Sequence, residues 1–298
     1  MIKYKLYWLG ALFLLLLTQK GYAQDDLMAL AEAQDSLKTT AVTGTFKGTR
    51  LANGHTVETS GAGELLFLIS HRFGTLNSGA YNFFGLDQAT IRLGLDYGLT
   101  DRLTVGIGRS SLEKTFDGFL KYRLLQQTRQ RNGMPITLTL FTSAAIKTLK
   151  VDEAENDDLP YRLTYTHQLL LARKFNEKLS LQLSPTLVHR NLVADRKAEN
   201  NVYALGAGGR YKLTKRTSFN AEYYYVLPGE TADSFRNSLA LGFDVETGGH
   251  VFQLIFTNAQ GMIEKFFIPQ TTGAWTKGDV YFGFNISRSF SLKGKKTW

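Results

Sequence analysis

The sequence predicts an all-β protein, specifically an antiparallel transmembrane β-barrel of about 12 strands with short periplasmic turns and longer external loops. Three observations lead to this fold class. Apolar and polar residues alternate with a period of two from about residue 62 to residue 292. The first residues resemble an export signal. Gly (28), Tyr (14) and Phe (20) are plentiful while Pro (5) is scarce, a composition typical of barrel walls with aromatic girdles.

Residues 1–23 have the three parts of a secretory signal peptide. Lys3 and Lys5 form a basic start, and an apolar stretch follows from Leu6 to Leu17, too short to span a bilayer comfortably. Gly21 and Ala23 then provide small residues at the −3 and −1 positions of a cleavage site. The sequence therefore predicts an exported protein, cleaved after Ala23 and located in a bacterial outer membrane.

Residues 24–61 lack the repeating strand pattern. A short helix is possible over 25–34, and the stretch that follows is rich in Gly, Thr and Asn, with Asn53-Gly54 as a turn signal. We expect this polar segment to lie outside the barrel wall, either in the periplasm or in the lumen. The barrel itself is expected over 62–292, followed by a basic tail over 293–298.

Period-two alternation defines the strands of the predicted barrel, because successive side chains of a strand point to opposite faces. The alternation is clearest over 89–97, 179–187, 217–225, 239–245 and 280–290. It is weaker over 63–73, 102–110, 117–125, 136–146, 161–174, 201–212 and 249–258. Pro185 suggests a bulge, and the run Leu169-Leu170-Leu171 interrupts the alternation.

The connections between these strands are of two kinds. Tight turns are predicted at 99–102, 175–178, 213–216 and 246–249. Longer loops are predicted at about 74–88, 147–160, 191–200, 228–236 and 259–278. Short and long connections mostly alternate, as in outer-membrane barrels. The stretch 126–135 is the exception, since it would be a periplasmic turn of unusual length.

Two soluble architectures also produce alternating strands, the β-sandwich and the lipocalin-like barrel. The membrane barrel is favoured because the strands are long enough for a tilted span and because aromatic residues cluster near strand ends. If the apolar face meets lipid, a polar set faces the lumen. The candidate lumen-lining residues are Arg92, Asp96, Lys121, Arg123, Gln182, Glu222, Asp244 and Asn285.

Several local strings support a family resemblance. They are His71-Arg72-Phe73-Gly74, Asn82-Phe83-Phe84-Gly85-Leu86-Asp87, Gly106-Ile107-Gly108-Arg109-Ser110, Thr247-Gly248-Gly249-His250-Val251-Phe252-Gln253-Leu254 and Gly283-Phe284-Asn285-Ile286-Ser287-Arg288. With these strings, residues 45–292 resemble an uncharacterised family of bacterial outer-membrane β-barrel proteins, a domain of unknown function. The resemblance implies the fold and the location, and it brings no catalytic residue with it.

No local motif predicts chemistry. The chain has no Cys, which removes disulfides and thiol catalysis, and its five His residues lack metal-site spacing. Gly106-Ile107-Gly108 and the other glycine clusters do not open a helix after a strand, so they do not form a nucleotide loop. We predict no enzyme, no cofactor and no metal. A barrel hydrolase using Ser110 or Ser111 with His167 is the least favoured alternative, because no local signature links these residues.

The net charge of +9 comes from scattered residues, which does not indicate a nucleic-acid surface. The expected partners are outer-membrane lipid, the barrel-assembly machinery and a small solute. The predicted function is porin-like passage or binding of small solutes. A non-conducting barrel that holds a partner or displays loops is the alternative, because twelve strands lie between barrels filled by side chains and barrels with open channels.

Overall fold

The computed structural model describes residues 40–130, 132–150, 158–193 and 198–292. The predicted signal peptide, the possible helix over 25–34 and the basic tail over 293–298 lie outside these residues. Among the described residues every helix is short, and none combines the length and apolar character needed to cross a membrane.

Within the described residues, twelve antiparallel strands form one closed barrel in which each strand pairs with its neighbours in the sequence. The strands are β1 (Glu64–Thr75), β2 (Ala89–Gly98), β3 (Leu103–Ser110), β4 (Phe116–Leu125), β5 (Thr137–Ile146), β6 (Leu163–Lys174), β7 (Leu179–Arg190), β8 (Asn201–Lys212), β9 (Thr217–Val226), β10 (Ser238–Glu246), β11 (His250–Thr257) and β12 (Tyr281–Ser291). The predicted fold class and strand number are confirmed.

Closure of the barrel brings the first and the last strand together. Glu64 is paired with Ser291, and the register continues to the pair of Arg72 and Gly283. The start of β1 and the end of β12 therefore share one end of the barrel, here called the terminal rim. The other end is called the opposite rim.

The two faces of the wall differ in chemistry. Outward side chains are apolar and exposed on nearly every strand, and examples are Ile91, Leu93, Ile107, Leu169, Leu181, Leu205, Phe243 and Leu254. Inward side chains are mostly polar and buried, including Ser70, Thr90, Thr104, Thr139, Thr164, Thr166, Ser180, Ser218 and Asn220. An apolar surface that surrounds a molecule is stable only against lipid or another apolar partner, so this outer face is suited to a bilayer.

Short connections at the terminal rim alternate with long ones at the opposite rim, as predicted, with two departures. Terminal-rim turns at 99–102, 175–178, 213–216 and 247–249 are tight, whereas 258–280 at the opposite rim is long. The opposite-rim connection 111–115 is short. The terminal-rim connection 126–136 is long because it also pairs with the segment that enters the barrel: Val42 N donates to the Gln127 carbonyl over 2.7 Å.

Two local expectations are resolved by the register. The pairing of β7 with β8 runs without a shift through Pro185, which is paired with Leu205, so the expected bulge is absent at this position. Leu170 points inward and is completely buried, while Leu169 points outward and is exposed. The leucine run therefore alternates as in any other strand, and its inward residue Leu170 packs against apolar side chains in the lumen.

Two loops at the opposite rim each contain a short α-helix. Helix α1 (Glu230–Ser234) lies in the connection between β9 and β10, and helix α2 (Glu264–Phe267) lies in the connection between β11 and β12. Every residue of α2 is buried. A charged loop helix with no exposed residue indicates that this connection folds into the barrel.

Candidate functional site

Residues 41–60, here called the lumen segment, run inside the barrel. Ala41 forms a β-bridge with Thr128 near the terminal rim. Further along, Leu51 N donates to the Gly54 carbonyl over 2.9 Å, which closes a tight turn at Asn53-Gly54. A side chain at Gly54 would lie 2.3 Å from the Tyr224 hydroxyl, so only glycine allows the turn to approach the wall this closely.

Polar wall side chains satisfy the backbone of the lumen segment, which has little secondary structure of its own. The Lys121 ammonium donates to the carbonyls of Thr49 (3.4 Å), Thr56 (3.1 Å) and Glu58 (2.8 Å). Gln182 accepts from Val57 N over 3.0 Å and donates to the His55 carbonyl over 2.8 Å. A buried backbone needs such partners because water is excluded.

The turn of the lumen segment has its own set of wall contacts. The Glu222 carboxylate accepts from the backbone N–H groups of Asn53 (3.2 Å) and Gly54 (3.0 Å). Arg72 donates to the Asn53 side-chain oxygen over 2.9 Å, and Asn285 donates to the Ala52 carbonyl over 3.0 Å. Side chains from β1, β9 and β12 therefore hold one turn.

Apolar side chains complete the packing of the lumen segment. One buried cluster joins three of its residues to four inward residues of β4, β5 and β6. The members are Phe46, Leu51, Val57, Phe119, Phe141, Leu170 and Ala172. This cluster explains why three wall strands carry apolar residues at inward positions.

Residues 258–280, here called the loop segment, fill the barrel from the opposite rim. Phe267 and Ile268 of this segment pack against inward residues of β7, β8 and β9, namely Val188, Val202, Ala204, Tyr224 and Val226. Ile263 and Phe266 pack against Ala145 of β5. The lumen is thus occupied from both ends.

The two segments meet at a group of ionisable side chains, here called the junction. The His55 ring nitrogen Nε2 lies 4.0 Å from Oε1 of Glu264. Arg50 pairs with Asp96 at 3.4 Å. Around these residues lies a cavity of about 10 Å³ that is also lined by Arg92 of β2, Asp117 of β4 and Lys265 of the loop segment. That volume is close to the smallest that holds one water molecule.

The junction leaves buried polar atoms without partners. Among the described residues, Nδ1 of His55, Oε1 of Glu264 and Oδ1 of Asp96 have no hydrogen-bond partner. Burial raises the pKa of Glu264 to about 7 and lowers the pKa of His55 well below its ordinary value. Neither residue belongs to a spanning strand. Both shifts favour the neutral forms inside the closed lumen.

The structure places the eight candidate lumen-lining residues on the inner side of the wall. Seven are buried and Arg123 keeps 13% of its side chain exposed. Lys121, Gln182, Glu222 and Asn285 bind the backbone of the lumen segment.

The other four candidates act through ion pairs or through another wall residue. Asp96 pairs with Arg50 and Arg123 pairs with Glu58, both in the lumen segment. Arg92 pairs with Asp117. Asp244 accepts from Gln253, whose amide also donates to the carbonyls of Arg50 and Leu51.

Sequence reasoning missed Arg72, Gln253 and the loop segment. A usable signal was present in the alternation itself. Phe119, Phe141, Leu170, Val188 and Val202 occupy positions that alternate with the lipid-facing residues of their strands. Apolar residues on the inner face of a membrane barrel indicate that something apolar fills the lumen.

The residues considered for hydrolysis do not come together. Ser110 points inward and is buried, and Ser111 lies in the connection between β3 and β4, where its hydroxyl accepts from Ile91 N over 3.0 Å. His167 is exposed on the outer face of β6, where its ring contacts the Thr142 hydroxyl at 2.9 Å. Across the described ranges, no group of three His, Cys, Asp or Glu residues could hold a metal ion.

Several solved structures are similar to this chain over about three quarters of its length. The NanC porin has 10% identity and a TM-score of 0.49, over 76% of this chain and 98% of that chain. The KdgM porin has 9% identity and a TM-score of 0.47, over 76% and 99%. An outer membrane channel from Pseudomonas putida F1 has 16% identity and a TM-score of 0.47, over 78% and 98%.

A comparison with curated protein sequences gives no match. The model of a protein family described as a membrane bound beta barrel domain, DUF5777, matches residues 46–290. This range begins inside the lumen segment and ends in β12, so it contains both the wall and most of the material that fills it. The chain belongs to this family of membrane-bound β-barrel domains, and the resemblance to an uncharacterised barrel family is confirmed.

Proposed function

We propose that this protein is a channel for small solutes in the bacterial outer membrane, closed at rest by the lumen segment and the loop segment. The observation that carries the proposal is the junction. Where the two segments meet, buried ionisable groups line a cavity of about 10 Å³ beside the apolar side chains of Phe119 and Phe141.

A junction of this kind favours separation of the lumen segment from the loop segment. Buried charges stabilise a fold poorly, because desolvation opposes their attraction, and a packed apolar contact of the same volume is often more stable. When the two segments move apart, His55, Glu264 and Arg50 regain water. Displacement therefore restores the hydration that closure removed.

The wall behind the two segments is also compatible with water. Inward positions of β6 and β7 carry Thr, Ser and Gln side chains along much of their length, and β9 adds Ser218 and Asn220. These groups form hydrogen bonds with water as readily as with the protein. A lumen emptied of its segments would be a polar passage through the membrane.

The proposal assigns the terminal rim to the periplasm and the opposite rim to the outside. An even number of strands puts the start of β1 and the end of β12 on one side, and the long loop segment enters from the other side. Export by the predicted signal peptide and insertion by the barrel-assembly machinery belong to the same proposal. We propose no catalytic role.

A non-conducting barrel is the second candidate, and the contacts of the lumen segment favour it. Lys121, Gln182 and Gln253 each make at least two hydrogen bonds to its backbone. A segment held in this way could serve only to stabilise the wall. Solute flux distinguishes the two functions.

The test uses a disulfide lock in a chain that has no native Cys. Ala52 of the lumen segment packs against Ala240 of β10 in one buried cluster. Vesicles that contain the native protein should take up small solutes. The double variant Ala52→Cys with Ala240→Cys should lose uptake when oxidised and regain it on reduction, while Ala52→Cys alone should behave as the native protein. Vesicles with native protein that stay as tight as empty ones would establish the non-conducting barrel.

A further inference from the structure

The long connection 126–136 at the terminal rim packs against the end of β6. The side-chain amide of Gln127 pairs with the backbone of Lys174: Nε2 donates to the Lys174 carbonyl over 3.0 Å, and Oε1 accepts from Lys174 N over 2.8 Å. Strand β5 begins at Thr137, which is paired with Ala172, so beyond that point the amide takes the place of a strand partner for β6. The extra length of this connection is therefore built onto the wall.

An open groove of about 460 Å³ lies between this connection and the tight turn 175–178. Arg129 and Phe175 are exposed, so the groove reaches the surface of the terminal rim. The lining residues that define its chemistry are Arg129, Met134, Arg173, Lys174, Phe175 and Glu177. A groove of this size accommodates a molecule much larger than a single ion.

Positive charge dominates the groove. Arg129, Arg173 and Lys174 line it together with one carboxylate, that of Glu177, which pairs with Lys174 at 3.2 Å. Among the described residues neither arginine forms an ion pair, and the buried Nε of Arg173 has no hydrogen-bond partner. The groove therefore contains guanidinium donors that the described chain does not satisfy.

Arg173 places the groove at the edge of the lipid-facing surface. It is paired with Leu181 of β7 and points outward, and its guanidinium lies over the Phe175 ring, 5.3 Å from the ring centre. Aromatic side chains at strand ends mark the depth of the lipid headgroups in membrane barrels. The positive groove is thus continuous with the apolar outer face, as the phosphate of a lipid is continuous with its acyl chains.

We propose that this groove binds the headgroup of an anionic phospholipid in the leaflet at the terminal rim. Arg129 and Arg173 donate to the phosphate oxygens, to which the planar guanidinium is well matched. The acyl chains lie on the outer face beside Phe175. The inference goes beyond the proposed channel and does not depend on solute passage.

Native mass spectrometry of the purified protein in nonionic detergent tests the site. Dioleoylphosphatidylglycerol and dioleoylphosphatidylcholine have the same chains, but the choline adds a positive charge that the cations of the groove repel. One phosphatidylglycerol should bind per barrel in a saturable manner, about fivefold more tightly than phosphatidylcholine or better. Equal affinity for the two lipids overturns the proposal.

Two substitutions locate the headgroup. Arg173→Gln and Arg129→Gln should each weaken phosphatidylglycerol binding about fivefold. Arg129 lies in an exposed connection, so its variant decides the matter if Arg173→Gln fails to insert. Native affinity in every variant that inserts would move the lipid elsewhere and overturn the site.

Arg288→Gln is the matched control. Arg288 also points outward near the terminal rim and lies over an aromatic ring, 4.9 Å from the centre of Phe290. Its strand β12 is six strands away from β6 round the barrel. This variant should keep native affinity for phosphatidylglycerol. A loss equal to that of Arg173→Gln would reduce the effect to overall charge and overturn the site.

Soluble competitors distinguish a lipid from other anions. Glycerol 3-phosphate has the phosphate without acyl chains, and tetraglutamate represents an acidic peptide. Neither should displace phosphatidylglycerol at equal concentration, because neither covers the apolar face beside Phe175. Displacement by either competitor would identify a site for a soluble anion and overturn the lipid site.

Discussion

Lys121 shows how a single side chain supports the closed state. Its ammonium donates to three carbonyls of the lumen segment and is almost completely buried. Lys121→Met keeps the apolar stem but removes the donor. The Thr49 carbonyl still accepts from Thr56 N, whereas the carbonyls of Thr56 and Glu58, left without a partner, should each destabilise the docked segment by about 1–3 kcal/mol.

Hydrogen exchange measures that loss directly. Backbone amides of residues 49–58 should exchange faster in Lys121→Met than in the native protein, while amides of the strands should be unaffected. Lys178→Met, at an exposed position in the turn between β6 and β7, is the matched control. Unchanged exchange over 49–58 would mean that Lys121 does not hold the lumen segment.

Glu264 makes closure depend on pH. Burial raises its pKa to about 7 in the closed lumen; the cations Arg50 and Arg92 oppose the shift and Asp117 adds to it. Because the folded pKa lies above the ordinary value, this contribution to closure is complete at low pH and is lost as pH rises through about 7. Its loop neighbour Lys265 is already paired with Glu113.

His55 faces Glu264 from the lumen segment and responds in the opposite direction. Burial, followed by the nearby cations Arg50, Lys121 and Arg92, lowers its pKa, so its contribution is complete above its ordinary value and is lost as pH falls. Above its ordinary pKa of 6.5 His55 is neutral whether the lumen is closed or open, so the change in closure from there to about pH 7 comes from Glu264.

Solute uptake into vesicles should therefore increase as pH rises through about 7 in the native protein. Glu264→Gln is neutral throughout and should remove the increase, while Glu230→Gln should keep it. A pH response that survives in Glu264→Gln would assign the titration to another group.

At the level of elements, the two faces of strand β12 have different surroundings. Phe284 points outward and stacks on His71 with ring centres 5.0 Å apart. Asn285 points inward and bonds the Ala52 carbonyl. The sequence alone suggests that Asn285→Arg is tolerated in an open lumen. The structure shows that the position is already occupied by a contact to the lumen segment.

The two substitutions should fail in different ways. Phe284→Arg places a charge near the middle of the bilayer, which should cost about 2–4 kcal/mol and reduce membrane insertion. Asn285→Arg should insert normally but displace the turn at Asn53-Gly54, seen as faster exchange at Ala52. If Phe284→Arg inserted normally and Asn285→Arg did not, the assignment of the faces would be wrong.

The lumen segment should be separable from the wall. Each described strand pairs with two other strands and none depends on residues 41–60 for its ladder. Deletion of 41–60 should therefore allow barrel assembly and raise solute uptake. Loss of membrane insertion in this truncation would show that the segment is needed to form the wall.

The strands could be predicted from the sequence because lipid requires an apolar side chain at the outward positions of each strand. Strands β2, β7 and β9 follow that requirement closely, and their predicted bounds differ little from the observed ones. The contents of the lumen could not be predicted in the same way. Contacts such as those of Glu222 with Asn53 and Gly54 join residues far apart in the chain and follow no period.

At the level of the whole molecule, a closed ring of strands is combined with a filled centre. The ladder is completed by β1 and β12, so the described wall has no free edge strand. In lipid or detergent, a wall whose backbone groups are all paired can open only by breaking a complete ladder. The lumen segment adds contacts to β1, β4, β7, β9 and β12 from inside.

This closure predicts resistance to detergent. The native protein should migrate faster on a denaturing gel before boiling than after, because the intact barrel is compact and binds less detergent. The truncation lacking 41–60 should show the same two forms, with conversion at a lower temperature, since only the inner contacts are lost. A single form at all temperatures in the native protein would contradict a closed barrel. Equal conversion temperatures would show that the lumen segment fills the barrel without stabilising the wall.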